Sequence, residues 1–200
     1  MLTLPLLRKM LNRAGTELKA NSKYLCELDS VAGDGDHGIT IGRMADVMKE
    51  KTEDTTIDTM RVLLDELGDA FMGINGGSAG PLWGTVFTGM AEGIDDQAEL
   101  TDLELRKMFT QAKEDFMDIS KAKPGDKTMV DALYPAIDAI IETQGSLKEI
   151  MTAAAAGAEQ TSTMVARFGR AKNMGERSIG TKDPGAVSIA ILFNGMAQAL

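Results

Sequence analysis

Three aspartates lie close together in a short segment that also contains glycine. Asp29, Asp34 and Asp36 fall within eight residues, and Gly33 and Gly35 flank Asp34. Crowded like charges cost free energy unless a cation neutralises them. Carboxylates without a cysteine or histidine cluster suit Mg²⁺ or Ca²⁺. The segment leads into a predicted helix N-terminus, which attracts anions. The spacing indicates a metal–phosphate site, and an N-cap followed by a turn is the alternative.

A single histidine, His37, follows these aspartates. It can donate to a phosphate oxygen or a carboxylate, and the phosphate contact is favoured here over a capping or purely structural role. One histidine and one cysteine, Cys26, do not build the usual zinc site. A single cysteine also excludes an intrachain disulfide.

A glycine-rich segment, residues 73–84, precedes another predicted helix. Turns of this kind can hold phosphate through backbone N–H groups. The segment lacks the Lys-Ser/Thr pair of a P-loop, and no strand precedes it as in a dinucleotide-binding fold. Close packing of helices is the alternative explanation for these glycines.

Two further segments hold distinctive polar residues. In residues 121–131, Asp126 is a candidate N-cap for the helix that follows. Residues 167–183 contain five basic side chains in an otherwise acidic protein. Arginines there can bind phosphate bidentately. A solvated run of charges is the alternative.

Helices must position these segments, because apolar residues recur at helical spacing and strand-like alternation is weak. The chain is therefore predicted to be all-α. Eight helices are predicted, over residues 3–19, 37–50, 57–74, 81–94, 101–119, 127–144, 147–166 and 184–199. Alternate loops of an antiparallel up-and-down array lie at the same end. We therefore expect four loops to meet there, namely 20–36, 75–80, 120–126 and 167–183.

Length and composition narrow the class of protein. A chain of 200 residues is expected to form a single domain, residues 1–200. The net charge of −9 argues against nucleic acid or a membrane surface as the main partner. Without a long apolar run or a signal-peptide pattern, a cytoplasmic location is expected. Of the 21 glycines, fourteen lie in or beside the four loops, so we expect them to shape backbone around a ligand rather than to serve helix packing.

The ordered motifs together resemble a known family. They are Asp34–Gly38, Gly76–Pro81, Lys123–Met129, Gly175–Gly180 and Asp183–Gly185. This set is similar to the nucleotide-binding subunits of dihydroxyacetone kinases, over essentially the whole chain. The resemblance implies an eight-helix antiparallel up-and-down barrel, with the nucleotide bound at one end by alternate loops.

The resemblance also implies a site for ADP, or ATP when charged, with two Mg²⁺ ions. Asp29, Asp34 and Asp36 would hold the metal. The implied nucleotide contacts are His37, Gly38, Ile39, Thr40, Ser78, Ala79, Ser120, Met129, Arg170, Asp183, Pro184 and Gly185. Thr40 and Ser120 stand where relatives often have asparagine and glycine. No side chain is expected to act as a nucleophile, and the metal and Arg170 would stabilise charge.

A separate chain of this length is similar to the bacterial type that depends on the phosphotransferase system. There a phosphohistidine protein converts bound ADP to ATP, and the phosphoryl group passes to dihydroxyacetone on a substrate-binding subunit. The resemblance implies those two partners, and a transcriptional regulator as a third. Relatives typically have histidine where this chain has Thr181. Another short ketose such as erythrulose, a trans-acting ATP-dependent kinase and a regulatory ADP-bearing module are the alternatives.

Overall fold

The computed structural model describes residues 1–143 and 147–200. The predicted boundary between the sixth and seventh helices, at 144–146, lies outside the described residues. The α-helices of the described ranges are α1 (Leu4–Ala20), α2 (Ser22–Asp29), α3 (His37–Glu53), α4 (Met60–Met72), α5 (Ala79–Glu92), α6 (Asp102–Ile119), α7 (Val130–Thr143), α8 (Leu147–Gln160) and α9 (Pro184–Gln198). Two 3₁₀ segments cover Thr161–Thr163 and Arg170–Ser178. A short antiparallel pair joins β1 (Leu2–Thr3) to β2 (Glu99–Leu100), with Leu2 opposite Leu100.

The eight predicted helices are all present, and the all-α prediction is confirmed. The predicted loop over 20–36 is wrong for residues 22–29, which form α2. The chain bends at Asn21, whose side-chain amide donates to the carbonyl of Glu17 at 2.9 Å. Only Leu25 of α2 is buried. Two turns with a single buried residue are too short for a helical period to be recognised in sequence.

Eight of the helices form a closed ring. α1 packs against α3, each helix from α3 to α8 packs against the next in chain order, and α9 packs against α1. Apolar stripes at helical spacing point into this ring and build one core, as in the edge-to-face stacking of Phe71 with Trp83 and Phe87. The helix α2 lies at one end, against α3 and α9. The barrel expected from the sequence is the observed architecture.

Glycines serve the helix crossings as well as the loops, which corrects the expectation about their role. A β-carbon on Gly38 would lie 1.8 Å from the carbonyl oxygen of Ser22, and one on Gly84 would lie 2.8 Å from that of Gly68. These glycines therefore permit α2 to approach α3 and α4 to approach α5. In the described residues, the glycines with positive φ do all fall in the four loops.

The interior also contains an apolar cavity of about 200 Å³, at the end that holds both termini. Its lining includes Leu2, Met10, Phe109 and Phe193. Among the described residues, no helix is both long and apolar enough to cross a membrane.

Candidate functional site

Residues from all four distinctive loops line one cleft of about 580 Å³ at the opposite end of the barrel. This arrangement agrees with the expectation that alternate loops meet. The predicted site residues in its lining are Asp29, Asp36, His37, Ser78, Ala79, Ser120, Met129, Arg170, Asp183, Pro184 and Gly185. Segments far apart in sequence therefore share one surface.

The acidic cluster forms where α2 ends and α3 begins. Carboxylate oxygens of Asp29, Asp34 and Asp36 lie within 4.8 Å of one another. One oxygen of Asp29 accepts the backbone N–H of Asp36 at 3.1 Å, which holds the turn against the carboxylate. A β-carbon on Gly33 would lie 2.4 Å from an Asp29 oxygen, so a larger residue there would displace the Asp29 carboxylate. Asp36 makes no capping bond to α3, but the Asp29 carboxylate accepts the backbone N–H groups of Asp36 and His37, so the alternative of a cap and turn describes part of this segment.

The charges of this cluster perturb one another. The Arg170 guanidinium pairs with Asp34 and lowers the pKa of that carboxyl. Burial and then the neighbouring Asp34 raise the pKa of Asp36. Adding a proton to one carboxyl, or a cation to the group, therefore relieves repulsion.

The donor set fits a hard divalent cation. Mg²⁺ binds oxygen at about 2.1 Å, so opposite ligands of one ion lie about 4.2 Å apart. The 4.8 Å limit among the three carboxylate oxygens is compatible with that span after small side-chain rotations. Three carboxylates supply only part of an octahedral shell, as in Mg²⁺ sites completed by phosphate and water. Asp29, Asp34 and Asp36 are therefore the residues that could hold the metal.

His37 connects the start of α3 to α9. Its Nε2 lies 3.2 Å from the hydroxyl oxygen of Ser188, and that hydroxyl donates to the carbonyl of Gly185 at 2.8 Å. Burial lowers the pKa of His37, which favours the neutral imidazole at neutral pH. The side chain thus has a structural partner and also reaches the cleft. Ser188 was not recognised in sequence, because a serine inside an apolar helix carries no distinctive signal.

The three residues after His37 are placed differently. Gly38 and Thr40 are buried, and Ile39 is 54% exposed outside the cleft lining. A β-carbon on Gly76 would lie 2.1 Å from the Thr40 hydroxyl oxygen. The glycine-rich loop therefore packs closely on α3, as its alternative explanation required, while Gly76 also lines the cleft.

Asp126 does not cap a helix, which corrects its assignment as an N-cap. The helix α7 begins at Val130. Asp126 instead accepts the backbone N–H of Lys123 at 2.8 Å and pairs with Arg167. The carboxylate of Asp131 accepts the N–H groups of Thr128 and Gly125 and stabilises the turn before α7. An aspartate that bonds its own turn has the same local sequence as an N-cap.

Residues 164–183, called the strap below, connect the 3₁₀ segment after α8 to α9, and several of them line the cleft. At the strap's end Asp183 caps α9, because its carboxylate accepts the N–H of Ala186 at 2.7 Å. Burial raises the pKa of Asp183 to about 7. The alternative of a solvated run of charges does not account for all of these residues, since Arg170 pairs with Asp34 and Lys182 pairs with Glu159. Lys127 is a second residue that the sequence did not single out; it is buried and lines the cleft.

Comparisons with known proteins show the family of this chain. Residues 31–198 match the DAK2 domain family. The chain is 34% identical to the PEP-dependent dihydroxyacetone kinase ADP-binding subunit DhaL of Escherichia coli, covering 94% of this chain and 93% of that one. It is 36% identical to L-erythrulose kinase of Pectobacterium atrosepticum, covering 95% of this chain but 34% of that enzyme.

A solved structure is also similar. The dihydroxyacetone kinase of C. freundii in complex with AMP-PNP and Mg²⁺ superposes with a TM-score of 0.77 at 26% sequence identity. The match covers 98% of this chain and 34% of that one.

Proposed function

Because the chain belongs to the DAK2 domain family, we propose that it is the ADP-binding subunit of a PEP-dependent dihydroxyacetone kinase. The observation that carries the proposal is the acidic cluster at the mouth of a cleft lined by all four loops. The chain also spans 93% of the length of the E. coli ADP-binding subunit. It would accept a phosphoryl group on ADP and release it to a ketose.

The aspartate cluster is the proposed metal site, and two Mg²⁺ ions are proposed there on grounds of charge. Three carboxylates and a diphosphate carry about six negative charges, of which two Mg²⁺ ions offset about four. Arg170, which already pairs with Asp34, would offset another. When bound, Mg²⁺ would neutralise phosphate oxygens and orient them for in-line transfer. One carboxylate oxygen of Asp29 accepts the backbone N–H of Asp36 and so holds the turn, and the same carboxylate lies near those of Asp34 and Asp36.

The nucleotide is proposed to lie across the cleft between loops that begin helices. His37, Gly38, Ile39 and Thr40 form the first turn of α3, whose N-terminus attracts phosphate through backbone N–H groups. Ser78 and Ala79 present the start of α5 in the same way. On the opposite wall, the remaining proposed contacts are Ser120, Met129, Arg170, Asp183, Pro184 and Gly185.

No side chain in the cleft is proposed to attack the phosphoryl group. Phosphoryl transfer needs positioning and charge neutralisation more than covalent chemistry. The described cleft lining contains carboxylates, backbone N–H groups and cations that provide these. The acceptor ketose and the phosphohistidine donor would each be presented by a partner protein at the cleft end. A transcriptional regulator is proposed as a third partner of the same face.

Erythrulose is the second candidate substrate. Thr181 lines the cleft, and the chain is 36% identical to an L-erythrulose kinase. A threonine is smaller than the histidine typical of relatives, so the cleft differs at this position. Turnover of dihydroxyacetone and of erythrulose with each cognate substrate subunit would separate the two candidates.

Two measurements test the proposal. First, freshly purified protein is denatured and the released nucleotide is quantified; we expect about one ADP per chain if the cofactor is tightly held. Second, the chain is mixed with a substrate subunit and dihydroxyacetone, with either a phosphohistidine donor or free ATP. Turnover should require the donor. Equal turnover on free ATP without any donor would refute the relay.

A further inference from the structure

Lys127 is a buried cation in an unusual backbone conformation. Its side chain is 3% exposed, and it is the one non-glycine residue with positive φ, at 60°, within the described ranges. A lysine gains nothing from this conformation by itself, because the left-handed region is unfavourable for residues with a β-carbon. Strain of this kind persists only where surrounding contacts enforce it.

The contacts of its ammonium group explain the strain. Lys127 Nζ donates to the carbonyl oxygens of Ser178 at 2.5 Å, Thr181 at 2.6 Å and Met164 at 3.4 Å. An ammonium has three N–H donors, and each has one of these acceptors. The group is therefore committed to the backbone of the strap. It has no donor left for a phosphate.

The same acceptors lie at both ends of the strap. Ser178 reinforces them, because its hydroxyl accepts the N–H of Ala166 at 2.9 Å and donates to the carbonyl of Gly175 at 2.6 Å. Arg167 donates its backbone N–H to the carbonyl of Asp126 at 3.0 Å. Asp126 and Lys127 thus bind both ends of the strap, which are called its base below.

The middle of the strap carries Arg170. This middle segment begins after Gly169, which has a φ of 63°. Its backbone turns again at Gly175, which has a φ of 56°. The Arg170 guanidinium pairs with Asp34, in the turn before α3. The position of Arg170 over this turn depends on where the base of the strap is held.

We propose that Lys127 is a positioning residue that fixes the base of the strap and thereby places Arg170 over the acidic cluster. The lysine acts through the strap and does not touch the nucleotide. Only the consequence for ligand binding rests on the proposed function, through the role of Arg170. The consequence for the strap itself is independent of it.

Native-state proteolysis of nucleotide-free protein tests the first step. The strap has exposed trypsin sites at Arg170, Lys172 and Arg177. In Lys127→Met, cleavage at these sites should accelerate at least about tenfold, because it follows the local opening of the segment. The control Lys123→Met, at an exposed lysine of the same loop, should stay within about twofold of the parent.

Circular dichroism shows whether each variant is folded before its cleavage is compared. If Lys127→Met loses its helical signal, the cleavage experiment is done with Lys127→Gln, because glutamine keeps hydrogen-bond donors without the charge. Cleavage confined to the strap in a folded variant supports the proposal. Unchanged cleavage, or cooperative unfolding of both Lys127 variants, overturns it, because the lysine would then hold nothing or hold the barrel as a whole.

Coupling to Arg170 tests the second step. The dissociation rate of Mg²⁺-ADP is measured for Lys127→Met, Arg170→Gln and the double variant. A residue that acts through Arg170 should lose its effect once Arg170 is replaced, so the double variant should match Arg170→Gln. Multiplicative effects would mean that Lys127 contacts the nucleotide directly and would overturn the proposal. If no variant binds ADP, the proposed function fails, while the proteolysis result still decides the role of Lys127.

Discussion

Replacing Asp36 by asparagine should separate two effects of the acidic cluster, namely its charge repulsion in the free protein and its binding of Mg²⁺-ADP. In the nucleotide-free protein, Asp36 is crowded by Asp34 and partly buried, and both effects disfavour its charge. Asp36→Asn therefore removes repulsion and keeps nearly the same shape. The unfolding midpoint without ligands should be equal to or higher than that of the parent.

The opposite result is expected when Mg²⁺ and ADP are present. A ligand at about one hundred times its dissociation constant stabilises a protein by about 2.7 kcal/mol. For a chain of this length, about 1 kcal/mol corresponds to about 2–4 °C, so the parent should gain roughly 5–11 °C. Removal of one of three charged ligand groups should weaken binding about a hundredfold, or about 2.7 kcal/mol, and abolish most of this gain.

Thermal unfolding with and without Mg²⁺-ADP measures both effects in one experiment. The matched control is Asp58→Asn, which removes the same charge from an exposed position outside the cleft. The control should behave like the parent under both conditions. If Asp36→Asn keeps the full gain from Mg²⁺-ADP, the assignment of Asp36 as a metal ligand is wrong.

Three further predictions concern stability without nucleotide. Burial raises the pKa of Asp183 to about 7. Its contribution to the free energy of unfolding is therefore complete at low pH and is lost as the pH rises through about 7. Asp183→Asn, which can still cap α9, should therefore become more stable than the parent between about pH 5 and pH 8, by a few kcal/mol at most in urea unfolding. Gly195→Ala would place a β-carbon 2.5 Å from the backbone of α1 and should cost about 1–3 kcal/mol, whereas Gly73→Ala, with its nearest contact at 3.5 Å, should be nearly neutral. Equal effects of the two alanines would contradict the packing argument. Ser188→Ala removes the partner of His37 Nε2 and should cost about 1–3 kcal/mol in chemical denaturation, and no change would show that this hydrogen bond is not needed.

The fold could be predicted from sequence because its helices are long and their apolar stripes are local. The capping box at Thr101 and Glu104 and the proline near the start of α9 mark helix ends within a few residues of their causes. The order of the loops then indicated that four of them share one end. The short helix α2 was not predicted, since it depends on packing against α3 and α9, which lie elsewhere in the chain.

The acidic cluster that could hold a metal was also visible in sequence, because Asp29, Asp34 and Asp36 are within eight residues of one another. Three carboxylates at this short spacing either share a cation or repel one another. Which of them would be crowded could not be predicted, since burial of Asp36 and the pairing of Asp34 with Arg170 depend on distant segments.

What the sequence by itself determined is the set of helices, the family resemblance and the residue types of the site. Only the tertiary structure decided which polar groups bond to each other. The sequence gives no sign of what Lys127 binds, whereas in the structure its ammonium donates to three backbone carbonyls of the strap. The family resemblance implies that Gly38 contacts the nucleotide, and the structure shows that it also allows α2 to approach α3. The physical reason is that helix periodicity is a local property, whereas the partner of a buried charge depends on where the whole chain places its backbone.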